Sequence, residues 1–272
     1  MRIILPIFAI MLTGSVSAQP NCNIYKMDND LACYEACNKA TEAETYQGTM
    51  ESQRAFDEAI RLCPKLDYAY IEKSVPYLKR GDFVTWKKII DQGVEINPRR
   101  NLGYRAWCRY QFIRDYQGAI KDFELLEKLN GSNLGYSQNG DYHLTIVKGL
   151  CYRGIGDNIR ARAIIKAQLS VTNYSPMPFD YLHLGIIEFD LKNFDAAIEN
   201  FQKSIAHSDY LADPYYYLAL ICKRQNSPTE SKANMLKAKA YYSKGYVRKD
   251  SYTTPMDKVF LSDIEAHLVS SK

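Results

Sequence analysis

The stretch RDYQGAIKDFELLEKL (residues 114–129) is a turn followed by an amphipathic helix, and its skeleton recurs in KNFDAAIENFQKSI (192–205). In both stretches an aromatic residue precedes an alanine by three positions, and a phenylalanine follows four positions later, as in Ala119 with Phe123 and Ala197 with Phe201. Residues three and four positions apart share one face of a helix. The skeleton therefore predicts a helix that packs closely through its alanine, and its recurrence predicts a repeat.

The same spacing continues through most of the chain. A second helix with 3.6-residue periodicity precedes each turn, with an aromatic residue early and a small residue several positions later. Two helices per period predict an all-α array of about six helical hairpins, and an unrelated helical bundle is the alternative. The predicted turns begin, at separations of 34, 33, 42, 36 and 34 residues, at Gln47, Gly81, Arg114, Gly156, Lys192 and Asn226.

This pattern resembles the tetratricopeptide-repeat family over about residues 33–245, and the spacing of 34 between Pro64 and Pro98 is similar to that family's helix ending. The resemblance implies a right-handed superhelical solenoid whose concave face is lined by the first helices of the hairpins. In the family that face commonly binds extended peptides or partner helices. Trp86 and Trp107 stand where the family has small residues, so we expect splayed or locally re-registered repeats there.

Residues 1–18 have the pattern of a cleaved signal peptide: a positive start, a ten-residue apolar run and small residues before Gln19. An uncleaved anchor is the alternative, but the run is too short to span a bilayer. Lipid attachment at Cys22 stays open, although the residues before it do not resemble a lipobox. We therefore expect an exported bacterial protein, periplasmic, in the cell envelope or secreted, with no integral membrane segment after signal cleavage.

The rest of the chain is divided by these patterns into an N-terminal segment (19–32), a repeat domain (33–250) with a long loop (130–142), and a C-terminal capping helix (251–272). The long loop is rich in Gly, Asn and Ser, which indicates a surface segment. Thr254 as N-cap and Pro255 at the first helical position predict the start of the last helix.

The seven cysteines fall into two groups. Cys108, Cys151 and Cys222 lie in first helices among apolar neighbours, so we expect buried thiols. The others can form disulfides in an exported chain, because a hairpin places the start of its first helix beside the end of its second. We therefore expect the disulfides Cys33–Cys63 and Cys22–Cys37, and the exchange of the neighbouring Cys33 and Cys37 is the alternative. A metal site is disfavoured because no histidine is near.

Charge and motifs point away from nucleic acid and from catalysis. The formal net charge of +4 falls to about +3 without Arg2, which is nearly neutral for this length and does not indicate a nucleic-acid partner. No metal-ligand spacing, nucleophile elbow or phosphate-binding glycine loop occurs, so we expect no enzyme, cofactor or metal. Asp141 with His143 is the pair that most suggests catalysis, and loop polarity explains it as well.

The predicted function rests on the groove that the family resemblance implies. Tyrosine is abundant, at 22 of 272 residues, and suits half-buried binding surfaces. We expect an exported scaffold that binds a protein or peptide partner through its concave groove. The alternative is a small-ligand or glycan-binding helical repeat protein of the cell envelope. The groove candidates are Tyr68, Tyr104, His143, Phe189 and Tyr216.

Overall fold

The computed structural model describes residues 19–269, so the predicted signal peptide and the last residues, 270–272, lie outside the described part. The chain divides into two compact units: the first ends at Lys73 and the second begins at Ser74, inside one helix. The helices are α1 (Asn23–Met27), α2 (Leu31–Glu44), α3 (Met50–Leu62), α4 (Asp67–Arg80), α5 (Phe83–Ile96), α6 (Pro98–Cys108), α7 (Tyr116–Asn130), α8 (Leu144–Gly154), α9 (Asn158–Leu169), α10 (Asp180–Asp190), α11 (Phe194–His207), α12 (Ala212–Arg224), α13 (Pro228–Ser243) and α14 (Leu261–Val269).

Helices α2 to α13 follow one another as six pairs, which confirms the all-α hairpin repeat. In the first unit α2 packs on α3, and in the second unit α6, α8, α10 and α12 each pack on the helix that follows. Successive pairs also touch, as α7 does with α8 and α11 with α12. Between residues 19 and 269 there is no strand, and Tyr136 and His143 form an isolated antiparallel bridge. No helix in this range combines the length and the apolar character needed to cross a bilayer.

The turn inside each pair has one construction, which explains the regular period. A residue with left-handed backbone is followed by the N-cap of the second helix. Asp82, Asp115 and Asp157 each accept a hydrogen bond from the backbone N–H three residues later, at 2.9–3.0 Å, and this satisfies one orphan donor of the helix. The left-handed residues are Gly48, Gly81, Arg114, Gly156, Lys192 and Asn226.

Close packing within each pair depends on small residues, as the repeated skeleton predicts. Ala119, Ala161 and Ala197 are fully buried on second helices. On the facing first helix, a Cβ added at Gly185 would lie 2.6 Å from the ring of Phe201, closer than packed carbon atoms approach. The helices of the fifth pair can approach this closely only because Gly185 has no side chain.

The first unit is held by two disulfides. Cys22 is bonded to Cys37 and Cys33 to Cys63, with Cα atoms 5.5 and 4.9 Å apart. These are the pairs that the hairpin geometry favoured over the exchanged alternative. Both bonds lie against the buried cluster that includes Ala36, Phe56 and Tyr68, so α1, α2 and α3 are linked covalently around one core.

The three free cysteines differ from one another. Cys108 and Cys151 are buried, as expected, and burial raises the pKa of the Cys108 thiol to about 12. The expectation of a buried thiol is wrong for Cys222, which is half-buried. Its sulfur accepts a hydrogen bond from the Asn234 side chain at 3.9 Å, so its face of α12 is partly polar.

The expected re-registration near Trp107 occurs as a π-helical turn at Arg109–Ile113, directly after α6. Trp107 packs against Tyr110 and Tyr142, with ring centroids 5.7 Å from each. A π turn adds a residue to the helical ladder, and this rotates the residues after Trp107 relative to those before it.

The predicted start of the last helix, with Thr254 as N-cap and Pro255 as first helical residue, is wrong, because α14 begins six residues after Pro255, at Leu261. Asp250 accepts backbone hydrogen bonds from Tyr252 and Thr253, which forms a turn there. Asp257 has left-handed backbone, with φ at 59°, and stops helix growth. Local capping signals are outweighed by these turns and by the contacts of Asp257 with Arg153 and Arg248.

Candidate functional site

The segment that follows α13 runs across the second unit and returns to its end. We define the C-terminal loop as Gly245–Phe260, which begins at a left-handed glycine and contains no helix. It contacts the first helices of successive pairs, or the π-helical turn that continues one of them, and we call this side of the second unit the first-helix face. The face is made by Gln111, Arg114, Arg153, Asp190 and Asp213.

The loop is anchored at its root by a buried ion pair. The Arg248 guanidinium donates to the Asp213 carboxylate at 3.0 Å, and both side chains are 2% exposed. Arg248 also donates to the backbone carbonyl of Asp257 at 2.7 Å, which joins the outgoing and returning arms of the loop. Burial disfavours its charge, but Asp213, Tyr142 and Asp257 together outweigh burial and raise the pKa of Arg248. The guanidinium therefore stays charged inside the protein.

Arg153, at the end of α8, holds the returning arm. Its Nη1 donates to both carboxylate oxygens of Asp257, at 2.5 and 2.7 Å, and its Nη2 donates to Asp190 at 2.7 Å. Although burial opposes the charge, Asp257 and Asp190 together raise the pKa of Arg153. A guanidinium is suited to engage two carboxylates in this way because its donors lie in one plane.

The tip of the loop makes lighter contacts with the first-helix face. Gln111 Nε2 donates to Thr253 Oγ1 at 2.8 Å, and Arg114 donates to the backbone carbonyl of Thr254 at 3.2 Å. The ring of Tyr252 lies 6.5 Å from that of Phe112, and the Lys79 ammonium lies 5.2 Å from the same tyrosine ring. The tip is therefore held by polar and aromatic contacts near solvent.

A buried polar centre lies beneath the loop. The Tyr142 hydroxyl and His183 Nε2 are 3.3 Å apart; burial raises the pKa of Tyr142 to about 12 and lowers the pKa of His183 well below its usual value. A pocket of about 30 Å³, lined in part by Tyr142, Phe179 and Arg248, opens beside them. That volume holds about one or two water molecules.

Two of the predicted groove residues, Phe189 and Tyr216, come together through Tyr217. The ring centroid of Tyr217 is 5.5 Å from Phe189 and 5.3 Å from Tyr216. Arg224 places its guanidinium 4.6 Å from the Phe189 ring centroid, which is a cation–π contact. These half-buried side chains form an aromatic patch on α10 and α12.

The other three groove candidates lie elsewhere. Tyr68 is 4% exposed in the core of the first unit, and its hydroxyl donates to Glu44. His143 is buried as the N-cap of α8, where its Nδ1 accepts from the Thr145 N–H at 3.2 Å. Tyr104 is half-buried on α6. The structure therefore brings two of the five predicted groove residues together and places the other three apart from them.

The Asp141–His143 pair does not form a catalytic dyad. Both ring nitrogens of His143 have other partners, Thr145 N–H at Nδ1 and the Asn133 side-chain oxygen at 3.3 Å from Nε2. Asp141 instead accepts from Asn139 at 2.7 Å. Burial lowers the pKa of His143, which matches its role as a neutral helix cap. These contacts give the long loop a structural role.

The residues that hold the C-terminal loop carried no motif in the sequence. One signal was present: a basic residue stands at the turn or shortly before it in successive repeats. Such positions suit the C-terminal dipole of a helix, and this general preference hid the specific pairing of Arg153 with Asp257. These basic residues are Arg80, Arg114, Arg153 and Arg224.

Comparison with known proteins identifies the fold. No protein-family model matches the chain, and no curated protein matches it significantly. Among solved structures, the chain is similar to PilW, described as a widely conserved type IV pilus biogenesis factor. The TM-score is 0.61 at 15% identity, over 78% of this chain and 94% of that one.

Two further structures are similar over most of their length. PilF of Pseudomonas aeruginosa gives a TM-score of 0.59 at 12% identity, covering 79% of this chain and 94% of that one. A tetratricopeptide-repeat protein of Parabacteroides merdae gives 0.53 at 13% identity, covering 92% and 95%. At identities this low, the similarity shows that the fold is shared and does not show that binding partners are shared.

Proposed function

We propose that this chain, which has the fold of the tetratricopeptide-repeat proteins, is an exported scaffold whose first-helix face binds an extended segment of another protein. One observation supports the proposal: the face already holds a non-helical polypeptide, its own C-terminal loop, through side chains of first helices and of the π-helical turn. Stacked helical hairpins present such extended surfaces to polypeptides. The fold neighbours are of a class that generally serves as non-catalytic scaffolds.

Export is supported by chemistry and by similarity. Two disulfides close the first unit, and structural disulfides persist in oxidising compartments. PilW, one of the similar structures, is described as a pilus biogenesis factor, and from it we extend to this chain an envelope location only. The signal-peptide pattern at residues 1–18 agrees with that location.

The small-ligand or glycan alternative gains no support from the pocket beside Tyr142. Its volume of about 30 Å³ suits water rather than a sugar ring. Tyr252, which could stack on a sugar, instead rests against Phe112 and Lys79. We therefore propose a protein partner.

Site-specific photocrosslinking in cells tests the proposal. A photoreactive phenylalanine analogue replaces Gln111, Tyr104 or Tyr216 on the first helices and the π turn in full-length protein. Matched controls carry it at Leu125 on α7 and Leu236 on α13, which are exposed on second helices. We expect one reproducible protein to crosslink from the first-helix positions and not from the controls, in the envelope or secreted fraction.

The same experiment can refute each part of the proposal. A partner captured only from Leu125 or Leu236 would move binding to the second helices. Capture of no protein from any position would argue against a scaffold. Recovery of the chain in the cytoplasm with reduced cysteines would refute export while leaving the binding result to be judged separately.

A further inference from the structure

The C-terminal loop has a firmly held root and a lightly held tip. At the root, Arg248 and Asp213 are almost completely buried, and Tyr246 accepts a backbone hydrogen bond from the Ala212 N–H at 3.0 Å. At the tip, Ser251, Tyr252 and Thr254 are exposed. Hydrogen bonds near solvent contribute little net free energy, whereas a buried charge is held strongly. The tip can therefore leave the first-helix face while the root stays in place.

The contacts of the tip and of the returning arm define the chemistry that this face accepts. Arg153 takes a carboxylate, from Asp257, through two hydrogen bonds. Gln111 takes a hydroxyl oxygen and Arg114 takes a backbone carbonyl, from Thr253 and Thr254. Together these groups fit a non-helical segment with an acidic side chain a few residues after a hydroxyl side chain.

Charge on the face agrees with an acidic occupant. Several of the first helices have basic residues in their last turn: Lys79 and Arg80 in α4, Arg153 in α8, and Lys223 and Arg224 in α12. Asp190 neutralises part of this charge at Arg153. Arg153 still engages Asp257 with its other terminal nitrogen, so it binds a second carboxylate even with Asp190 present.

The loop is an imperfect occupant. Asp257, which binds Arg153, has a left-handed backbone, a conformation that costs an aspartate more free energy than a glycine. The loop compensates because it is tethered, which gives it an effective concentration on the order of millimolar. A segment of another protein that presents a carboxylate without this strain can compete for the same contacts.

From these contacts we infer that residues 249–258, the tip and the returning arm of the C-terminal loop, are an internal mimic of the partner. The Gln111–Arg114–Arg153 site binds a non-helical partner segment that presents a carboxylate, in exchange for residues 249–258. This inference rests on the proposed function, because it names the partner segment and the contact that it must displace. Binding is weakened in the free protein by the fraction of molecules in which the loop is closed.

A synthetic probe tests the exchange. The probe is a fluorescein-labelled peptide, KDSYTTPMDK, which is residues 249–258 of the chain, added to full-length oxidised protein. Asp257→Asn in the protein loosens the loop, and Asp209→Asn, an exposed aspartate outside the loop, is the matched control. By fluorescence anisotropy we expect the Asp257→Asn protein to bind the probe about tenfold more tightly than wild type, because the bidentate carboxylate contact is lost only in the tether.

Two further comparisons make the result specific. A probe with Asn in place of its second aspartate, and an Asp257→Asn protein that also carries Arg153→Gln, should each lose the gain. Thr253→Val loosens the loop by removing the contact with Gln111, and we expect it to give a smaller gain in probe affinity. This variant replaces Asp257→Asn if that protein folds poorly. Hydrogen exchange should rise at residues 249–256 in the loosened proteins and stay unchanged in α12.

The inference is overturned by equal probe affinity in the wild-type and loosened proteins, by absent binding up to millimolar concentration, or by binding that ignores the probe's aspartate. The proposed function fails separately. A partner that crosslinks from Gln111 equally well in wild type and Asp257→Asn would keep the scaffold and reject the exchange. A chain that crosslinks to no partner while the probe exchange occurs would reject the scaffold and keep the binding chemistry of the site.

Discussion

The two ends of the described chain are secured by different chemistry. In the first unit, disulfides link α1, α2 and α3 around one core. In the second unit, the end of the array is secured by a buried ion pair at Arg248 and Asp213 and by α14. Helix α14 packs on α13 and hydrogen-bonds through His267 Nε2 to Ser231 Oγ at 2.9 Å. One end is held covalently, and the other is held by an ion pair and hydrogen bonds.

This difference separates two tasks. A disulfide acts mainly by restricting the unfolded chain, so it stabilises the first unit without making any part of it exchangeable. Ion pairs and hydrogen bonds can be replaced by equivalent groups from another molecule. The non-covalent end is therefore where binding can be coupled to a change in structure, and the covalent end serves as a fixed support.

The largest expected effect comes from the root of the loop. Arg248→Met should destabilise the second unit by about 3–5 kcal/mol, because it strands the buried Asp213 carboxylate. Both tryptophans, Trp86 and Trp107, lie in the second unit, so urea unfolding followed by tryptophan fluorescence measures this directly. Adding Asp213→Leu should recover part of the loss, since no charge is then stranded.

The matched control for that variant is Arg160→Met, because the Arg160 side chain is 61% exposed on α9. An exposed ion pair contributes at most about 1 kcal/mol. Equal losses in Arg248→Met and Arg160→Met would show that the root is no firmer than a surface contact. The distinction between root and tip would then be wrong.

Opening the covalent end should give the next largest effect. Cys33→Ala with Cys63→Ala removes a bond that spans 30 residues, and the chain-entropy model assigns such a loop roughly 3–4 kcal/mol. Hydrogen-exchange protection in α2 and α3 should fall by that amount, with Cys222→Ala as a control that breaks no disulfide. A fall of equal size in the tryptophan transition would show that the two units unfold as one body.

The sequence predicted the features that depend on neighbours along the chain. The repeat period arises from a turn in which a left-handed residue precedes a capping side chain. These two residues are neighbours in the sequence, as are Gly81 and Asp82. The Cys33–Cys63 disulfide followed from the same hairpin geometry. These features could be found because their determinants are local or follow from one repeat unit.

The proposed binding site could not be predicted in this way. Arg153 and Asp257 are 104 residues apart, and neither belongs to a motif. Thr254 and Pro255 form a good local helix start, yet tertiary contacts of Arg248 and Asp257 hold this segment in a non-helical conformation. Tyr68 was assigned to the groove because periodicity gives the face of a helix and not the neighbour that covers it.

Mild acid should distinguish the ends without any mutation. All four histidines lie in the second unit, and burial lowers the pKa values of His143, His183 and His267. Protons therefore bind the unfolded chain more readily than the folded one, so stability is full above the unfolded pKa of about 6.5 and falls below it. Between pH 7.0 and 5.5 the tryptophan transition should lose about 1 kcal/mol for His183 alone.

The pH effect has an internal comparison. Protection in α2 and α3 should not change over the same range, because the first unit contains no histidine. His183→Asn should flatten the slope of the tryptophan transition. A slope that persists in His183→Asn would assign the effect to His143 and His267 instead, and a flat wild-type profile would contradict the lowered pKa values.

The smallest expected effect tests a feature that both ends share. The turn of the first unit uses Gly48 at its left-handed position, whereas the fifth pair uses Lys192, with φ at 62°. Lys192 is exposed, so Lys192→Gly removes backbone strain with little loss of contact and should stabilise the second unit by roughly 0.5–1 kcal/mol. Gly156→Ala, at φ 87° with open space around it, should destabilise by about the same amount. If the signs are reversed, so that Lys192→Gly destabilises and Gly156→Ala stabilises, backbone entropy of the unfolded chain, rather than turn geometry, controls these positions.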